Sequence, residues 1–186
     1  MSVVKKLEKI SIDDYLNSEE LGDVRHEFVD GVIYAMVGAS VRHNLITGAL
    51  FSALRTHLRG SPCYVFQSDM KVRVEHAFYY PDLMVTCSGI DPAARYVSDA
   101  VLIIEVLSPA TEGKDRLEKL VAYRHLASIK EYVLVSQDKM QLEIFRREED
   151  GWQVETCGHG DNVNLKSVNL TLPITVIYED VMGISD

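Results

Sequence analysis

The sequence predicts an α/β fold with a mixed β-sheet flanked by helices, and three observations carry that reading. Residues 100–136 run strand, helix, strand: the apolar stretch AVLIIEVL, a segment that follows Ser108-Pro109, and a second apolar stretch, EYVLVS. Such a unit is a crossover, the connection that links parallel strands. Hairpin signals surround it, with Asp30-Gly31 between two apolar runs and MQLEIFRR followed by WQVETC, and hairpins build antiparallel pairs. Between them, Leu45, Ile46, Ala49, Leu50, Ala53, Leu54 and Leu58 recur at helical spacing. Parallel and antiparallel pairs in one chain give a mixed sheet.

The elements follow in order. Ser11, with Asp14 in the first turn, is an N-cap for a short helix near residues 12–18. Asp30-Gly31 suits a type I′ turn, whose two central residues need positive φ. The longest helix spans 40–58 and stops at Gly60-Ser61-Pro62. Strands are expected at 63–67, 70–74 and 79–86, then a loop over 87–98. The run at 100–107 is apolar enough for a central strand buried on both faces. Thr111 is the expected cap of a helix reaching about residue 127. A strand at 131–136, the late hairpin, further short strands and a helical turn complete the chain.

With 186 residues, 47% of them hydrophobic, the chain suits one domain over residues 1–186 with a sizeable core. No apolar run approaches the ~20 residues of a membrane helix. The segment MSVVKKLEKISIDDYL lacks the apolar run and cleavage site of a secretory signal. Cys63, Cys87 and Cys157 are scattered and odd in number, so all three are expected as reduced thiols in a cytoplasmic protein. The formal net charge of −9 argues against a nonspecific DNA coat, because phosphate binding rests on clustered Lys and Arg. It is compatible with carboxylates gathered around a metal. A Gly-rich phosphate loop, a nucleophile elbow and zinc-ligand spacing are all absent, which argues against NTPase, serine hydrolase and zinc-enzyme readings.

Glu105 is the sharpest chemical signal. It interrupts the apolar stretch VLIIEVL, and an unpartnered carboxylate in an apolar interior costs several kcal/mol, on the order of what one ion loses on leaving water. A buried Arg partner, a position at the wet end of the strand, or protonation would each resolve this without function. A metal ion or a general acid–base role would resolve it with function. In YYPDLMVT, Asp82 follows Pro81 at the start of another apolar stretch, where Pro is tolerated. If the strand from Asp82 pairs antiparallel with the strand holding Glu105, the two carboxylates meet and repel unless a cation lies between them. Mg²⁺ is typically held by one or two carboxylates with waters and phosphate oxygens.

Asp115 and Lys119 stand four apart in TEGKDRLEKLVAYRHL, with Leu117, Leu120 and Val121 on the other side of the helix. They read either as a solvated salt bridge or as a lysine reaching back over the strand end to a phosphate or a water. Glu27, before the Asp-Gly turn, is either a fourth polar group of that site or a surface residue. His43 reads as a surface or internally satisfied histidine. Arg42, Arg55, Arg59, Lys71, Arg73, Lys114, Arg116, Arg146 and Arg147 are candidate phosphate contacts.

HEFVDG, the PD of residues 81–82, IIEVLSPAT and DRLEKLVAYRHLASIKEYVLV together resemble the Uma-two family of bacterial endonucleases, within the PD-(D/E)xK superfamily, over residues 10–180. The resemblance implies a restriction-endonuclease-like core, DNA as substrate and Mg²⁺ or Mn²⁺ as cofactor. It assigns metal binding to Asp82 and Glu105. Leu107 stands where the superfamily carries its lysine, and the resemblance gives that role to Lys119 in the following helix. It adds Glu27 through water. The expected activity is Mg²⁺-dependent hydrolysis of DNA phosphodiesters, by a homodimer that suits the two strands of a duplex and whose interface the late strands and hairpin supply. Two rivals stand beside it. One is a catalytically impaired nuclease-fold module that binds nucleic acid or protein, favoured by Leu107 and the acidic charge. The other is a hydrolase of a different phosphorylated substrate, because fold does not fix substrate.

Overall fold

The computed structural model describes residues 9–36 and 38–183. Helix α1 (Ile12–Leu21) leads into the hairpin β1 (His26–Val29) and β2 (Val32–Ala35), followed by α2 (Val41–His57). Next come β3 (Tyr64–Gln67), β4 (Lys71–Val74), β5 (Ala77–Tyr79), β6 (Leu83–Thr86), β7 (Tyr96–Val97) and β8 (Ala100–Leu107). A helix α3 over 112–124 leads to β9 (Glu131–Ser136), β10 (Gln141–Glu148) and β11 (Gly151–Gly158). The pair β12 (Asn162–Leu165) and β13 (Leu170–Pro173) precedes α4 (Ile174–Tyr178). The expected absence of a signal segment concerns residues that lie partly outside the described ones. No described helix is long and apolar enough to cross a membrane.

The sheet is mixed, as expected. One six-stranded sheet has the order β11-β10-β9-β8-β6-β3, and β8–β9 is its parallel pair. A five-stranded sheet has the order β2-β1-β5-β4-β7. Strand β8 alternates its side chains between two cores. Leu102, Ile104 and Val106 join Ile46, Leu50 and Leu54 of α2. Ile103 and Leu107 join Tyr79, Tyr123 and Tyr132 on the opposite face. Each fully buried aliphatic side chain here contributes roughly 1.5–3 kcal/mol of transfer free energy. Glu105 belongs by this alternation to the second face.

Local signals hold at both N-terminal features. Ser11 Oγ accepts from the Asp14 amide at 3.1 Å. Asp30 and Gly31 take φ values of 49° and 92°, the left-handed pair the hairpin needs. A Cβ on Gly31 would also meet Lys9 Cβ at 2.7 Å.

The structure corrects four expectations. Residues 79–86 are two strands, not one: β5 lies in the five-stranded sheet and β6 in the six-stranded sheet. The chain changes sheet at Tyr80-Pro81-Asp82, because Pro81 has no amide to continue a ladder. Thr111 gives no side-chain cap; its hydroxyl lies 3.0 Å from that of Ser108. Helix α3 is not a regular α-helix, since residues Asp115–Lys119 form a π turn. Finally, Cys63 and Cys87 form a disulfide. The β3–β6 register pairs Tyr64 with Thr86, so the next residues outward face each other, with Cα atoms 3.9 Å apart. Only Cys157 is a free, buried thiol among the described residues.

Candidate active site

Two chain crossings between the sheets, at 67–71 and 79–83, meet beside the end of β8. The Ser68 amide donates to the Asp82 carbonyl at 3.1 Å, tying the crossings together. Strands β6 and β8 pair antiparallel, with Leu83 opposite Ile104. Asp82 and Glu105 are therefore neighbours, as the pairing argument required. The Asp82 amide points at Glu105 Oε2 (3.4 Å), and Asp82 Oδ2 accepts from the Val106 amide at 2.7 Å.

The π turn of α3 faces this point. A π turn inserts a residue and rotates the helix locally, and such turns often mark functional sites. Here Asp115 and Lys119 turn inward and are buried, while Leu117 is 72% and Val121 58% exposed. The amphipathic sense of the sequence is thus inverted: the polar stripe is interior and two of the three apolar residues face solvent. The solvated salt-bridge reading of Asp115–Lys119 is overturned by that burial.

Lys119 Nζ lies 2.9 Å from Glu105, 3.1 Å from Glu27 and 3.1 Å from Asp115. Glu27 comes from β1 and also receives Lys114 Nζ at 2.6 Å. It is 6% exposed, so it is no surface residue. Tyr123 donates its hydroxyl to Glu105 Oε1 at 3.1 Å. The structure therefore gathers all four predicted residues, Glu27, Asp82, Glu105 and Lys119. They border a cavity of about 430 Å³, also lined by Tyr34 and His43.

The cluster is unbalanced. Four carboxylates, Glu27, Asp82, Glu105 and Asp115, face two ammonium groups, Lys114 and Lys119. Burial dominates at Glu105 and pushes its pKa well above the ordinary glutamate value; Lys119 opposes this, while Asp115, Asp82 and Glu27 add to it. Burial opposes the charge of Lys119, but Glu105, Glu27 and Asp115 outweigh it and raise its pKa well above the lysine range. Lys119 is accordingly an ammonium at neutral pH. Burial also works against the Glu27 carboxylate, yet Lys119 and Lys114 together hold its pKa below the usual value. Asp115 Oδ1 is buried and is met by the Lys119 ammonium at 3.1 Å, outside hydrogen-bond geometry.

Sequence reasoning left two participants outside the site. His43 Nε2 lies 3.1 Å from Asp82 Oδ2. Burial opposes its protonation, and the hydrogen bond to Asp82 overrides this to raise its pKa. The first turn of α2 presents His43 because Ser40 caps that helix, accepting from the His43 amide at 3.1 Å. The 39-residue separation of His43 and Asp82 hides this contact from the sequence. Asp115 was visible only as half of a surface pair, since i, i+4 spacing does not reveal a π turn.

Among the candidate phosphate contacts, Lys114 lines the cavity. Several others are committed elsewhere. Arg116 holds Glu143 in two 2.8 Å hydrogen bonds. Arg146 pairs with Glu131, and Arg147 donates to the carbonyls of Ile129, Arg124 and Leu126. Lys71 donates to the Tyr80 hydroxyl at 3.1 Å.

The donor chemistry suits a hard divalent cation. Asp82 and Glu105 supply oxygen donors side by side, and the surrounding charge is in anionic excess. Among the described residues, no three His, Cys, Asp or Glu side chains converge as a ready-made metal cage. Two carboxylates completed by water and phosphate oxygens match how Mg²⁺ is usually held.

Comparison with known proteins agrees with this architecture. A protein of Anabaena variabilis ATCC 29413, described as "a putative nuclease belonging to DUF820", superposes with a TM-score of 0.72 at 16% identity, covering 88% of this chain and 97% of that one. It shares the restriction-endonuclease-like α/β fold. The Synechocystis protein slr1290 is 35% identical over 174 residues, 91% of this chain and 92% of its own length. A second Synechocystis protein, sll1609, is 29% identical over 171 residues, 89% and 97% of the two chains. Both are described as uncharacterized. The Uma2 family, described as "Putative restriction endonuclease", matches residues 12–176. The chain belongs to the Uma2 family.

Proposed function

We propose that this protein is a metal-dependent endonuclease that hydrolyses DNA phosphodiester bonds. The observation that carries this is the adjacency of Asp82 and Glu105 above a buried lysine, with more carboxylates than cations around them. The family description supports the nuclease class. Asp82 and Glu105 would hold Mg²⁺ or Mn²⁺. Such an ion, when bound, polarises a phosphodiester and lowers the pKa of a water.

The chain's own residues supply the rest. Lys119, charged and fixed by three carboxylates, donates hydrogen bonds and so orients the attacking water or stabilises charge on the phosphoryl oxygens. It does not serve as a base. Glu27 and Asp115 hold Lys119 in place, and Glu27 can reach the site through water. In the hydrolysis, the attacking water gives up a proton to solvent as its oxygen bonds to phosphorus, a P–O ester bond breaks, and the departing oxygen takes up a proton, so the net change is addition of one water. Lys119 substitutes for the lysine displaced by Leu107, whose side chain is committed to the core. A homodimer belongs to the same proposal.

The test is nicking of supercoiled plasmid with Mg²⁺ or Mn²⁺. Wild type should nick, and Asp82→Asn and Glu105→Gln should not. Unchanged nicking in both variants would refute the assignment. The impaired-module reading keeps one specific support: Glu105 and Asp82 already have protein partners, Lys119 at 2.9 Å and His43 at 3.1 Å. Nucleic acid bound by wild type but never cut, with any divalent ion, would favour it.

A further inference from the structure

We infer that the cavity receives one unpaired nucleotide of a single strand, with its base on Tyr34 and its phosphate over Lys114 and the acidic floor. This rests on the nuclease reading and narrows its substrate. Three observations lead to it.

The floor is deep. Glu105 is 3% exposed and lies at the bottom of a cavity of about 430 Å³. That volume is in the ~300–1,000 Å³ range of pockets that enclose a small ligand. A phosphate carried on a stiff, paired backbone stays at the surface. One carried on an unpaired nucleotide can enter, as enzymes that act on extruded nucleotides require.

The rim is aromatic and apolar. Tyr34 and Met36, at the end of β2, line the cavity, and Tyr34 is 46% exposed. Large exposed apolar side chains at the mouth of an acidic pocket have a use if a base stacks there. Stacking on an aromatic ring is how proteins hold single strands without sequence preference. Asn44 and Gln67, both exposed, line the same cavity and offer amides to base edges.

The cation is placed between base and phosphate positions. Lys114 Nζ lies 4.6 Å from the Tyr34 ring centroid and 2.6 Å from Glu27. It is the candidate phosphate contact that borders the cavity. Arg116, Arg146 and Arg147, which could otherwise meet a duplex backbone, already hold carboxylates and carbonyls.

The experiment measures fluorescence anisotropy of three fluorescein-labelled probes: a 12-mer oligothymidylate, a blunt 12-base-pair duplex and a 12-mer oligouridylate. Ca²⁺ replaces Mg²⁺ to hold the complex uncut. Wild type should bind a single strand at least 10-fold more tightly than the duplex. Tyr34→Ala should weaken single-strand binding by about 5- to 150-fold, the effect of one lost base–aromatic stack. Tyr34→Phe should retain it. Tyr34 is half-exposed on an edge strand, and an unchanged urea midpoint would confirm that Tyr34→Ala folds. Oligouridylate binding as tightly as oligothymidylate still supports the one-nucleotide site, with either sugar accepted. Equal binding of duplex and single strand, or no effect of Tyr34→Ala, overturns the inference. Plasmid nicking that depends on Asp82 would survive that result, so failure of this inference and of the nuclease reading are separable.

Discussion

Two buried glutamates, one on each of two adjacent parallel strands, have opposite characters. Glu131 opens β9 and is 0% exposed. Its carboxylate accepts from Arg146 Nε at 2.7 Å, from the Lys166 and Ser167 amides and from the Ser167 hydroxyl. Arg146 is completed by Glu155 and the Asn164 carbonyl. Every partner is protein. Glu105, on β8, accepts from the Tyr123 hydroxyl and faces the Asp82 amide, but it shares its one cation, Lys119, with Glu27 and Asp115 and borders a cavity. Burial of a carboxylate is therefore no sign of function by itself. Anionic excess beside an open volume is the better sign, because it leaves something for a ligand to complete.

Breaking the saturated pair should cost most. Glu131→Ala leaves Arg146 short of its buried partner and strips two amides of their acceptor. A loss of about 3–5 kcal/mol in urea unfolding is expected, as for other broken buried pairs. If Glu131→Ala unfolds like wild type, the structural reading of that cluster is wrong.

Glu105→Gln should do the reverse. DNA cleavage should fall by at least about 10²- to 10³-fold, the scale of removing one electrostatic catalytic group, without the loss of stability expected for Glu131→Ala. A stability loss equal to that of Glu131→Ala, with cleavage retained, would erase the distinction between the two regions.

The pH dependence sharpens it further. A carboxyl with a raised folded-state pKa is disfavoured by the fold once the unfolded chain ionises, so its contribution to stability declines as pH rises above ~4.3. Glu105→Gln should accordingly gain stability relative to wild type between pH 5 and pH 8. Glu27 has the opposite sign: its pKa is lowered, so its contribution is present above ~4.3 and is lost as pH falls. Urea midpoints of wild type, Glu105→Gln and Glu27→Gln across that range would separate the two. A Glu105→Gln difference that is flat with pH would contradict the anionic-excess account.

The smallest effect belongs to Arg116→Ala on the outer face of α3. Its pairs with Glu112 and Glu143 are partly exposed, and about 1 kcal/mol or less should be lost in thermal or urea melts. A larger loss would mean that the outer ion pairs help to hold the π turn.

Much of this was legible in the sequence, for physical reasons that differ by element. Apart from Glu105 and Glu131, VLIIEVL and EYVLV are apolar, which strands covered on both faces tolerate, so the crossover and the sheet centre were readable. The nearness of Asp82 and Glu105 followed from one pairing rule. What the sequence hid depends on long-range register or on local geometry without a residue signature. His43 meets Asp82 only after α2 packs across the sheet. Cys63 meets Cys87 only once β3 and β6 are in register. The π turn buries Asp115 and Lys119 while exposing Leu117 and Val121, against every apolar-face rule. The partners that distinguish Glu105 from Glu131 come from distant segments.

The most direct test of the central claim is calorimetric titration of Mg²⁺ and Mn²⁺ into wild type, Asp82→Asn and Glu105→Gln, in two buffers of different ionisation enthalpy. Wild type should bind one divalent ion at Asp82 and Glu105, the buffer dependence of the heat reporting any proton given up on ligation, and both substitutions should abolish binding. Binding of equal affinity in all three proteins, or none to wild type even with a single-stranded oligonucleotide present, would contradict it.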